Sequence, residues 1–200
     1  PTYGATSHMV AVTPDGKRAY TANIADGTVS VLDIPTRSYV SVFPVTRRIE
    51  GIAVTPGGEF VWTGSNVVKT VSVIDTKTGA IVRTHEGFEF PYRMAVTPNG
   101  RTVLVCDPPL SRIRFFNGLT HDEIGTLTVP ADSVGPAAEF AGQAAPEGII
   151  ISRDGATAYV ALQGSSRVAA IDIATRTIRG YMSVGQAPDG IGYSQVVTGR

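Results

Sequence analysis

The residues of this chain with the types and spacing to do chemistry are His8, Glu50, Tyr92, Arg93, Glu147 and Asp189. Five of them stand directly before a similar apolar run. His8 precedes Met9–Val12, Glu50 precedes Gly51–Val54, Tyr92 precedes Arg93–Val96, Glu147 precedes Gly148–Ile151 and Asp189 precedes Gly190–Tyr193. Three carboxylates and one imidazole at equivalent places are a donor set for a divalent cation such as Ca2+, or for a cationic ligand. With Glu50, Glu147 and Asp189 as metal ligands, His8 would be the base that activates water beside a metal-polarised carbonyl. The competing reading is a solvated rim in which each polar residue only precedes a strand. His85, with Glu86 and Glu89, lies in the longer segment THEGFEFPY and is expected in a loop on the same face.

An internal repeat must position these residues. HMVAVTPDGKRAYTAN, from His8, returns as EGIAVTPGGEFVWTGS, YRMAVTPNGRTVLVCD and EGIIISRDGATAYVAL, and cut short as DGIGYSQ. Thr13, Thr55 and Thr97 are 42 residues apart; Ser152 follows 55 residues on and Ser194 another 42. The register therefore holds except for 13 extra residues between the third and fourth units. Four short strands and their turns fill about 40–45 residues, the size of one propeller blade. Val, Ile, Thr, Tyr and Phe dominate the runs, and Pro14-Asp15-Gly16 is the tight turn between the first two.

The expected fold is all-β: a β-propeller of four-stranded antiparallel blades, with four complete blades plus one extra inner strand. The blades fall at about 8–45, 50–90, 92–129 and 147–187, the inner strand at 189–195 and an inserted loop at 130–146. In this geometry the residues that precede each first strand ring the mouth of the central channel. The inserted loop should overhang that mouth, with a short helix over Ala137–Ala145 and Phe140 as a ligand-facing candidate or an internal packing residue.

Other features read as structural. Asp33, Asp75, Asn117 and Asp172 each precede a Thr by three residues, a pattern that closes a turn. Cys106 sits in an apolar run and is expected buried. Tyr20 and Trp62 are expected in the core, and His121 in a solvated outer turn. Lys plus Arg equals Asp plus Glu, 17 each, which argues against general attraction to nucleic acid or an anionic membrane. Arg47, Arg48, Arg112 and Arg114 make at most a small basic patch. No apolar stretch reaches the length of a membrane span.

The motifs VTPDGKRAYTAN and TVSVIDTKTG resemble the YVTN-type β-propeller repeat of YncE-like and archaeal surface-layer proteins. Ala19–Asn23 stands where that repeat has YVTN or YVAN; Arg153, Leu162 and Phe115-Phe116-Asn117 depart from the pattern. The resemblance implies a seven-bladed ring, of which this chain is a C-terminal part, with missing blades or another subunit to close the circle. It further implies a periplasmic or extracellular setting, although the chain shows no signal peptide and starts at Pro1. It carries single-stranded DNA as a possible partner. PEGI and PDGI are similar to segments of calcium-dependent lactonase propellers. The expected function is a non-catalytic binding propeller that requires no cofactor and engages a protein, polymer or small ligand with the loop face around its channel mouth. The alternatives are a calcium-dependent lactonase-like hydrolase and a scaffold or partner of a periplasmic redox protein.

Overall fold

Apolar runs, broken every five to seven positions by turn-forming residues, fold into sixteen strands in four sheets among the described residues. A computed structural model describes residues 1–131 and 142–192. Blade 1 holds β1 (Ser7–Val12), β2 (Arg18–Asn23), β3 (Thr28–Asp33) and β4 (Ser38–Pro44). Blade 2 holds β5 (Ile49–Val54), β6 (Phe60–Ser65), β7 (Thr70–Asp75) and β8 (Ile81–His85). Blade 3 holds β9 (Met94–Val96), β10 (Thr102–Asp107), β11 (Arg112–Asn117) and β12 (Glu123–Thr128). Blade 4 holds β13 (Pro146–Ile151), β14 (Thr157–Leu162), β15 (Arg167–Asp172) and β16 (Thr177–Ser183). Every sheet is an antiparallel meander in chain order.

The turns follow the sequence closely. Gly16, Gly58, Gly100 and Gly155 take positive φ (69°, 80°, 71°, 73°) in the first hairpin of each blade, where a side chain would strain the backbone. Asp33 accepts from the Thr36 N–H at 2.9 Å, and Asp75 from Thr78 at 2.9 Å. Asn117 accepts from Thr120 at 3.1 Å, and Asp172 from Thr175 at 2.8 Å. These four residues close the turns between third and fourth strands. Each blade also carries a bulge where those strands pair, at Val31/Leu32, Val73/Ile74, Phe115/Phe116 and Ala170/Ile171, which twists the outer strand away.

The core is three seams between consecutive blades. Tyr20, Val29, Val31 and Phe43 meet Ile49, Ile52 and Val61 between blades 1 and 2. Trp62, Val71 and Val73 meet Met94, Val103 and Phe116 between blades 2 and 3. Leu104, Ile113 and Phe115 meet Val160, Leu162 and Ile171 between blades 3 and 4. Cys106 lies in that last seam, fully buried, and burial drives its thiol pKa far up. Trp62 and Tyr20 are core residues as expected. Inner strands β1/β5, β5/β9 and β9/β13 pack side by side, whereas β13 and β1 do not join in the same way. The described blades therefore form an open arc.

Several expectations change. Gly190–Gly192 carry no strand pairing, and the rest of the expected fifth inner strand lies outside the described residues. So do Phe140 and most of the proposed Ala137–Ala145 helix; Gly142–Ala145 are turn and coil. His121 is buried, not solvated, with its ring edge-on to Phe60 at 4.4 Å. No helix among the described residues is long and apolar enough to cross a membrane.

Candidate functional site at the channel mouth

The inner strands β1, β5, β9 and β13 bring together a cavity of about 340 Å3, lined by His8, Met9, Val10, Ile52, Arg93, Met94 and Ile149. The expected ring residues form pairs beside it: His8 and Glu50 lie within the first residues of β1 and β5, Arg93 directly precedes β9, and Asp189 follows blade 4. His8 Nδ1 is 3.5 Å from Glu50 Oε1, and Asn66 donates to the other Glu50 oxygen at 2.9 Å. Arg93 bonds Asp189 at 2.9 Å, joining positions 96 residues apart in the chain, and its guanidinium lies 5.1 Å from the Tyr92 ring centre. Tyr92 stacks obliquely on Phe90, ring centres 5.3 Å apart, and burial raises its phenol pKa, with Arg93 partly opposing. Of the sequence candidates, His8, Glu50, Tyr92, Arg93 and Asp189 are thus brought to one rim. Glu147 belongs to β13 and is only 4% exposed.

Glycine explains how the ring is built. A Cβ on Gly51 would lie 1.6 Å from the Tyr92 carbonyl oxygen, and one on Gly148 would lie 2.0 Å from that of Asp189. Each glycine lets the lead-in of a neighbouring segment press its backbone onto an inner strand. The glycine of the E-G-I motif is therefore a packing requirement, and the ring residue it touches is placed by its own main chain.

His85 is elsewhere. It ends β8, the outer strand of blade 2, instead of occupying a mouth loop, and it is buried. Its ring lies parallel to Trp62, centres 5.8 Å apart, and 4.5 Å from Phe116 of blade 3. Burial lowers its pKa, and Arg83 and Arg114 lower it further against Glu123. Arg112 and Arg114 form no free basic patch. Arg112 pairs with Asp107 at 2.8 Å, and Arg114 pairs with Glu123 at 2.6 Å while lying 4.0 Å over the Phe88 ring.

The sequence reading also missed Asp107 and Asn66. Asp107 is fully buried and accepts from the Phe90 N–H at 2.8 Å and from Glu89 at 3.2 Å. It anchors the loop that carries Tyr92 to the rim. The available signal was positional: Asp107 ends β10 where Asn23 and Ser65 end β2 and β6, and all three are buried and polar. For metal chemistry, no three His, Cys, Asp or Glu side chains among the described residues come together as a metal-holding group. Glu50, Glu147 and Asp189 are not gathered on one point.

No protein-family model matches the chain, and no curated protein matches it. Solved structures do. The chain is similar to a Kuenenia stuttgartiensis hydrazine synthase chain at 22% identity and TM-score 0.77, covering 90% of this chain and 49% of that one. It is also similar to the β-propeller domain of Myceliophteria thermophila Cps50 (Swd1) at 16% identity and TM-score 0.74, covering 92% and 57%. The fold is that of a β-propeller. The chain spans about half the length of the chains it matches.

Proposed function

We propose that the chain is a non-catalytic binding propeller that engages a ligand or partner at its channel mouth. The observation that carries this reading is the cavity of about 340 Å3 lined by Met9, Val10, Ile52, Met94 and Ile149 together with His8 and Arg93, which pair with Glu50 and Asp189 respectively. That volume is within the range of small-ligand sites, which combine apolar walls with a few fixed polar groups. A ligand with an apolar body and a polar end, or a partner loop of that character, fits this layout. Thermal unfolding in the presence of amino acids and short peptides tests it. The ligands that raise the midpoint should lose their effect in Ile52→Asp and in Arg93→Gln, while equal shifts in wild type and both variants would sink the reading.

The open faces of the arc are read as seats for further blades, from the same protein or from another subunit. The hydrolase alternative depends on calcium: it expects a Ca2+-dependent rise in the unfolding midpoint that Glu147→Gln removes. A midpoint indifferent to Ca2+ leaves the binding reading alone.

A further inference from the structure

Each of the three seams opens a groove on the face opposite the channel, where first-hairpin turns meet the turns between third and fourth strands. The three grooves are built alike and differ in charge. Between blades 1 and 2 the lining cations Lys17 and Arg18 are matched by Asp15 and Asp33, with Lys17 3.6 Å from Asp15 and Arg18 bonded to Asp33. Between blades 2 and 3 the charged lining residue is Glu59. Between blades 3 and 4 a groove of about 330 Å3 is lined by Arg101, Arg176 and Arg179 against Asp172 alone.

Asp172 neutralises just one of these three cations. Arg179 reaches it through Nε at 3.1 Å and also through Nη2, while its Nη1 donates to Thr157 at 2.8 Å. The other Asp172 oxygen accepts from the Thr175 N–H. Asp154 lies near enough to act on Arg179 but is itself held by Ser152 and the Ala156 N–H. Among the described residues, neither Arg101 nor Arg176 has a carboxylate within ion-pair distance. Arg176 lies across Gly125 of β12, where a Cβ would come within 2.8 Å of it, and its buried Nε has no partner. Asn99 completes the lining: its amide oxygen accepts from Thr97 and from the Arg101 N–H, which leaves its NH2 group as a donor.

We propose that this groove binds a phosphate group through Arg101, Arg176 and the outer edge of Arg179, with the Asn99 amide as a further donor. Guanidinium forks match the paired oxygens of a tetrahedral oxyanion, and charge-assisted bonds of this kind are the strong ones. The dianion would supply the negative charge that Asp172 alone does not.

The probes are inorganic phosphate and O-phosphoserine, titrated at constant ionic strength against chloride and followed by unfolding midpoint and 31P line width. The expected result is saturable binding by phosphate beyond any chloride effect. Arg101→Gln, at an exposed position, should weaken it about tenfold, while Lys17→Gln in the balanced groove should leave it unchanged. Tighter binding of phosphoserine would point to a group carried on a larger molecule, and tighter binding of inorganic phosphate to a free ion; each supports the site. Phosphate no better than chloride, or equal losses in both variants, overturns it.

Discussion

At the residue scale, His85 and His121 couple the stability of the fold to pH. Both are buried where blade 2 meets blade 3, around Trp62, and the Nε2 atom of each has no hydrogen-bond partner. Burial pushes both pKa values below the ordinary histidine range. Arg83 acts in the same direction on each, and Arg114 on His85 as well; Glu123 and Asp122 oppose at His85 and His121 respectively. With the folded pKa below the unfolded one, the unfolded chain binds more protons in between. Their contribution to stability is therefore present above the unfolded value, about 6.5, and is lost as pH falls through the folded values. Unfolding midpoints measured from pH 7.5 to pH 5 should fall, and the double variant His85→Phe/His121→Phe should flatten that slope. An unchanged slope in the variant would show that other groups set it. The turn residues Asp33 and Asp172 were legible in the sequence because their partners are three residues away. The two histidines were not, because what buries them comes from different strands and a different blade.

At the element scale, the hairpins were legible for the same local reason, and the apolar runs that open the first four units fall within two residues of β1, β5, β9 and β13. β9 is shorter than the apolar run implied, starting at Met94 and leaving Arg93 free to reach Asp189. What the repeat could not reveal is how closely the units approach. Gly148 reads in sequence as a generic strand-start glycine, yet it meets the Asp189 main chain. Gly148→Ala should destabilise the fold by about 1–3 kcal/mol through overpacking. It should also loosen the Arg93–Asp189 pair. Urea unfolding of Gly148→Ala, and of Gly148→Ala combined with Arg93→Gln in a double-mutant cycle, checks both effects. A loss below about 0.5 kcal/mol, within the range of ordinary surface changes, would mean that the segment moves aside freely.

At the scale of the whole molecule, the two faces of blade 1 differ. Val10 and Val12 are 60% and 49% exposed. Their equivalents Ile52 and Val54 pack into the seam with blade 1, Met94 and Val96 into the seam with blade 2, and Ile149 and Ile151 into the seam with blade 3. Positions that bury a blade face three times leave it open once, among the described residues. Open apolar sheet faces associate. Light scattering of the 200-residue chain should therefore rise with concentration, and Val10→Lys/Val12→Lys should suppress the rise; a wild type that stays dispersed would refute this. The repeat made the blades legible, but which side chains the open face of blade 1 uncovers needed the strand register.

The main-chain contacts at Gly51 and Gly148 have a consequence for how such a surface changes. Because Tyr92 and Asp189 are placed by their carbonyl oxygens against Gly51 and Gly148, the positions of these two residues do not depend on their own side chains. His, Glu, Tyr and Asp all occupy that position within this one chain. Substitution of Tyr92 or Asp189 side chains should therefore leave the blade packing at Gly51 and Gly148 in place.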